Sequence, residues 1–193
     1  VAKKLFSQTA ELSQLGVDAE LIIIGCGAAY YPTYDFLTTY RLDDVPIGDL
    51  WGRIKRAREI SKIFGEIINS LSSNDVLLYR YTISSLLYYP KNYFKPFRTC
   101  KIVTEHQTKE LDESKLYNNA LSYWSDYLFG KLLRKQSDAI VGVTDEITQY
   151  EVSRSGDPEK PHITIGNGFA VQSVSVRQAP HNNGDALHLL CVA

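Results

Sequence analysis

Ser137–Asp138–Ala139–Ile140–Val141–Gly142–Val143–Thr144–Asp145 is the stretch whose reading decides the fold. Its centre is a short apolar run rich in β-branched residues, with no polar alternation. Such a run is read as a strand buried on both faces, as in a parallel sheet. Thr144 or Asp145 follows at once as a helix N-cap, and the helix it opens runs to about Ser155. A strand that passes directly into a helix is half of a βαβ unit.

The same alternation continues in both directions. Upstream, Cys100–Thr104 reads as a strand, followed by a helix over about 115–135. Its predicted buried stripe is Leu116, Ala120, Leu121, Trp124, Tyr127, Leu128 and Leu132. Further upstream, Val76–Tyr79 is a strand, and Thr82–Ser85 caps a short helix that Pro90 ends. Segment 50–71 is the clearest amphipathic helix, with Trp51, Ile54, Ala57, Ile60, Phe64, Ile67 and Ile68 on one face. Arg53, Lys55, Arg56, Arg58 and Lys62 fill its other face; this reads as a solvated surface, with contact to anionic lipid headgroups as the second reading. Ala19–Gly25 is another buried strand, preceded by a helix over 2–15. Residues 26–50 read as irregular. Downstream, His162–Ile165 is a strand that Gly166–Asn167–Gly168 turns sharply.

Strand and helix alternation predicts an α/β fold, a Rossmann-like doubly wound parallel sheet with right-handed crossovers. The pattern opens on a helix with no strand before it. We therefore expect residues 1–169 to form one domain lacking its first strand. Residues 170–186, low in hydrophobicity and containing Pro180 and Gly184, read as a linker. Residues 187–193 then read as the start of the first strand of a further, C-terminal domain.

Bulk properties narrow the function. The chain has 193 residues, 44% hydrophobic and 22% charged, enough for a sizeable core, and a net charge of -1. That balance carries no nucleic-acid footprint. Cys26, Cys100 and Cys191 lack metal-ligand spacing, which fits buried thiols in a reducing compartment. The N-terminus, VAKKLFSQ, is not the apolar core of a signal peptide, and no run approaches the ~18 residues of a membrane span. The expected location is cytoplasmic, with peripheral contact at the cytoplasmic face of a membrane as a variant. There is no methionine, so an N-terminus that is truncated or disordered is expected.

Ligands of an open parallel sheet bind beyond the C-terminal ends of its strands. The polar residues at those ends are the candidates: Arg80 and Tyr81, Glu105 and His106, Thr144 and Asp145, Asn167 and Gly168. Gly25–Cys26–Gly27 lacks the third glycine of a dinucleotide fingerprint, and Pro32 follows, so an ordinary loop is expected there. Tyr30, Tyr31 and Tyr34, and Tyr88, Tyr89 and Tyr93, are mostly packing, though either set could offer stacking faces to a sugar ring. No hydrolase elbow, P-loop or zinc signature occurs.

Several of these pieces resemble the N-terminal domain of a GT-B glycosyltransferase of the family-4 type. They are Leu12 to Leu21, read as L-x-x-L-G-x-x-x-E-L; Asp75–Tyr81; Glu105–His106; Ser137–Thr144; and Ile165–Gly166–Asn167–Gly168–Phe169. Their order and spacing carry the resemblance, which covers nearly the whole chain. Gly166 stands where the family usually has proline. The family's glycine-rich loop between first strand and first helix is missing from this sequence, and its donor domain with paired glutamates would lie beyond Ala193.

The resemblance implies transfer of a sugar from a nucleotide-sugar donor to a glycan or lipid-linked acceptor, as in polysaccharide or glycoconjugate biosynthesis. Transfer would occur with retention, without a metal and without a separate cofactor. It implies that His106 reaches the transferred sugar as the catalytic residue, and that the fragment alone is inactive. The alternatives are a sugar-nucleotide 2-epimerase and a non-catalytic sugar- or nucleotide-binding module of the same fold.

Overall fold

The computed structural model describes residues 2–25, 35–42, 50–81, 86–166 and 187–192. In chain order the elements are α1 (Ala2–Gln14), β1 (Ala19–Gly25), β2 (Leu37–Arg41), α2 (Leu50–Ser70) and β3 (Val76–Arg80). They continue as β4 (Lys101–His106), α3 (Glu110–Leu116), α4 (Ala120–Gln136), β5 (Ala139–Gly142), α5 (Asp145–Ser155), β6 (His162–Thr164) and β7 (Leu187–Val192), with 3-10 turns between β3 and β4. All seven strands join one sheet in the order β2-β1-β7-β3-β4-β5-β6. Every pairing is parallel.

The expected α/β fold with a parallel sheet is present. The side-chain period of two sorts each central strand onto two cores. On one face, Ile22 and Ile24 join Leu77, Tyr79 and Ile102 against Ile60, Phe64, Ile67 and Ile68 of α2. On the other, Leu21 and Ile23 meet Leu5 of α1. Tyr89 and Tyr93 also belong to the first core. Their rings pack at 4.7 Å centroid separation, and the Tyr93 hydroxyl donates to the Leu133 carbonyl at 3.0 Å. They therefore offer no stacking face to a sugar; the Tyr30, Tyr31 and Tyr34 set lies outside the described residues.

Four expectations are corrected. First, part of the supposedly irregular stretch is the edge strand β2, LTTYR, whose polar composition hides it; its half-buried pattern suits an edge. Second, β7 does not open a further domain. It lies inside this sheet between β1 and β3, with Leu187 opposite Ala19 on one side and Val76 on the other. That is the place the first strand takes in the classic doubly wound order. Third, the helix expected over about 115–135 is two helices, broken at Asn118, which adopts φ 51°. Asn119 caps the second helix, accepting from Ser122 N at 3.2 Å.

The fourth correction reverses a face. Leu116, Leu121, Trp124, Tyr127, Leu128 and Leu132, expected in the core, are exposed. What α4 buries is Asp126, Gly130, Leu133 and Arg134. Gly130 lets the buried face close up, because a Cβ there would come 2.5 Å from Asp126 Oδ1.

The entry to β5 is tied to β4 by Asp138. Its Oδ2 accepts from the Ile102 backbone N–H at 2.8 Å and from Arg98 at 2.6 Å. The buried Lys160 ammonium donates to the Ser137 carbonyl at 2.7 Å.

Candidate functional site

Because the strands are parallel, the loops after β3, β4 and β5 gather at one edge. Arg80 stands opposite Glu105 in register, and Tyr81 N–H donates to the Glu105 carbonyl at 2.8 Å. A cleft of about 290 Å³ opens there, lined in part by Arg80, Tyr81, Gln107, Thr108, Tyr117 and Asn119. Arg80 is half-buried, and its Nε has no hydrogen-bond partner among the described residues. Thr144 takes its expected capping place, its Oγ1 accepting from Ile147 N at 3.2 Å; Asp145 is exposed in the first turn of α5. Glu105 is buried, its carboxylate accepting from Gln107 Nε2 at 2.7 Å. Asn167 and Gly168 lie outside the described residues.

His106 departs from expectation. A group that meets a sugar must be reachable, and His106 is 0% exposed. Its ring stacks on Tyr81 with centroids 4.7 Å apart. Nε2 lies 3.1 Å from Thr104 Oγ1, and Nδ1 lies 3.2 Å from Glu110 Oε1 and 3.3 Å from Glu151 Oε2. In this geometry His106 packs behind Tyr81 and Glu110, which line the cleft, and presents no surface of its own to it.

Behind the cleft lies a buried ionic network that the sequence reading missed. Arg134 is its hub. Its guanidinium bonds Asp126 Oδ1 at 2.8 Å, Glu110 Oε2 at 2.9 Å and the Glu151 carboxylate through Nε. It also lies over the Tyr81 ring, 4.6 Å from the centroid. Arg154 pairs with Asp126 and donates to its backbone carbonyl at 2.9 Å. The Tyr81 hydroxyl donates to Asp126 Oδ1 at 3.1 Å. Three helices are thereby fastened to the ends of β3 and β4: Glu110 comes from α3, Asp126 and Arg134 from α4, Glu151 and Arg154 from α5. The signal in the sequence was slight. Asp126 and Arg134 lie eight apart, on the helix side opposite the apolar stripe.

Charge balance decides where the proton sits. Desolvation is the largest cause lowering His106, to about 4, so it is neutral. Desolvation also raises Glu110 and Glu151, each to about 7, against the pull of Arg134 on Glu110 and of His106 and Arg134 on Glu151. One proton shared by the two glutamates, with both arginines and Asp126 charged, makes the cluster neutral overall. That is the low-energy arrangement in a low dielectric. A protonated Glu110 can then donate to Nδ1 of the neutral imidazole.

A divalent ion is an alternative by distance alone, since ligand atoms of His106, Glu110 and Glu151 lie within 4.8 Å of one another. Arg134 already supplies the cation that both carboxyls need.

Opposite pH dependences follow. The folded pKa of His106 lies below its unfolded value of ~6.5, so its contribution is present above that pH and lost as pH falls toward 4. The glutamate pair lies above its unfolded value of ~4.3, so its contribution is present below that pH and lost as pH rises through 7. Between these limits the two slopes, each ~1.4 kcal/mol per pH unit per proton, oppose one another. Glu110→Gln keeps the donor to His106 and removes one side of the balance. We expect denaturant unfolding of this variant to lose stability more steeply than wild type between pH 6.5 and 4.5. Parallel profiles would show that no proton is shared.

No protein-family model, curated protein or solved structure matches this chain significantly, so the site is read from its own geometry.

Proposed function

We propose that this domain is the acceptor-side half of a sugar-transferring enzyme, and that the cleft at the ends of β3 and β4 receives a hydroxyl-rich acceptor. The cleft carries the reading. Its amide and hydroxyl groups, from Gln107, Thr108, Ser114, Asn119 and Ser122, suit a polyol, and Tyr117 adds an aromatic ring. Arg80 brings a guanidinium whose Nε has no hydrogen-bond partner among the described residues. The position, beyond the C-terminal ends of parallel strands, is where such sheets hold ligands. The order of motifs resembling family-4 glycosyltransferases is a second support.

The domain's part in the reaction is to bind and orient the acceptor. The nucleotide-sugar donor and its activating groups belong to the partner half. The buried His106 favours a second reading, a sugar-binding module without catalysis, because the residue expected to meet the transferred sugar is not accessible.

Saturation-transfer NMR with a panel of oligosaccharides and glycosylated lipids tests the cleft. Arg80→Ala and Tyr117→Ala should each weaken the best ligand about tenfold, the worth of one good charged or stacking contact. No transfer product is expected from this domain with nucleotide sugars. Failure of every glycan to bind, or unchanged binding in both variants, would remove the assignment.

A further inference from the structure

α4 presents its apolar face to solvent, and that face has no partner within the described fold. Leu121 is 72% exposed, Leu128 62% and Trp124 57%, with Tyr117, Tyr127 and Leu132 beside them. Contiguous apolar surface of this kind marks an interaction site. The aromatic rings form a cluster of their own: Trp124 and Tyr127 meet edge-on at 5.7 Å, and Tyr123 stacks on Tyr127 at 6.2 Å.

The charges on the helix select the occupant. Its single acid, Asp126, is buried in ion pairs with Arg134 and Arg154. The charged side chains that α4 exposes are Lys131 and Lys135, on the same side as Trp124 and Leu128. Lys115, exposed at the end of α3, lies over the Tyr123 ring at 5.5 Å. Leucine, tryptophan and tyrosine flanked by lysines is the composition of a helix lying in a bilayer interface. A second copy of the chain fits poorly. Two-fold pairing of this face would bring lysine against lysine or against bare apolar rings, with no exposed carboxylate on α4 to receive it. No helix among the described residues is long and apolar enough to cross a membrane.

We propose that the outward face of α4 docks the protein flat on an anionic lipid surface. Tryptophan and leucine enter the headgroup boundary, and Lys131 and Lys135 pair with lipid phosphates. Residues just before and at the start of this helix, Tyr117, Asn119 and Ser122, also line the cleft. Docking therefore places the mouth of the cleft beside the bilayer. The docking surface stands without the sugar-transfer reading; together they specify an acceptor presented by the membrane.

Vesicle sedimentation tests this with phosphatidylcholine alone and with equal parts phosphatidylcholine and phosphatidylglycerol. The protein should bind the anionic vesicles at least tenfold more tightly, and less tightly in high salt. The chain has two tryptophans, so Trp51→Phe leaves Trp124 as the reporter, and its emission should shift blue on binding. Trp124→Ser with Leu128→Ser, and separately Lys131→Glu with Lys135→Glu, should each lower binding about tenfold or more, with an unchanged melting temperature because these side chains are exposed.

Three results would overturn the proposal. Binding that is equal on both vesicles, or absent, is the first. The second is loss of binding only when Arg53, Lys55 and Arg58 of α2 are reversed. The third is a dimer in sedimentation equilibrium that the Trp124→Ser, Leu128→Ser variant dissociates.

Discussion

Arg134→Met should lower the stability of the fold by about 3–5 kcal/mol, the cost of leaving buried charge without its partner. For a chain of this size that is a fall in melting temperature of roughly 10 °C or more. Methionine fills much of the volume, so the loss is electrostatic. Asp126 keeps Arg154, but Glu110 and Glu151 lose the cation between them. Arg134→Lys should recover only a minor part, since a point charge cannot span carboxylates on three helices as a planar fork does. Adding Glu110→Gln and Glu151→Gln to Arg134→Met should recover most of the loss, because the stranded charges are then gone. Thermal melts of the four proteins check this; a loss below about 1 kcal/mol for Arg134→Met would mean that the helices are held by other contacts.

Gly142→Ala is the second large effect. Gly142 ends β5 where the first turn of α5 crosses it. An added Cβ would collide with Thr148 Oγ1 and stand 2.8 Å from the Thr148 backbone nitrogen. A side-chain tip can turn aside; a backbone nitrogen cannot, so α5 must shift and draw Glu151 out of the ionic network. We expect a loss of about 3 kcal/mol, at the upper end for overpacking. Thr148→Ala in the same chain removes the hydroxyl collision and should restore part of the loss. Urea denaturation of the single and double variants measures both, and full tolerance of alanine at 142 would mean that α5 has room to move.

The strands were legible wherever both faces are buried. Ala19–Gly25, Val76–Tyr79 and Ala139–Gly142 are apolar runs with no second reading. β2 was not legible, because an edge strand can be as polar as LTTYR. The position of β7 was hidden for another reason: an apolar run announces a strand and says nothing of its neighbours. The facing of α4 misled because periodicity finds an apolar stripe and assumes that it points inward. Here the inward face is ionic. His106 was correctly placed at a strand end, but its burial depends on Glu110, Glu151 and Tyr81, which are scattered over the chain. Arg80 and Tyr81 were legible as a pair at the sheet edge, and both do line the cleft.

The central place of β7 has a kinetic consequence. β2 and β1 form one block of the sheet, and β3 to β6 form another. Among the described residues the two blocks share no backbone pairing, and within the sheet residues 187–192 bridge them. Ala19 must find Leu187 across 168 positions of sequence. Contacts so distant incur a large loop-closure entropy before they return any enthalpy, and they slow folding. Until β7 inserts, β1 and β3 each present an unpaired apolar edge, open to pairing with other chains. Refolding should therefore show a fast phase that assembles two half-sheets and a slow first-order phase in which the seam closes, with a yield that falls as protein concentration rises because unpaired edges of different chains compete.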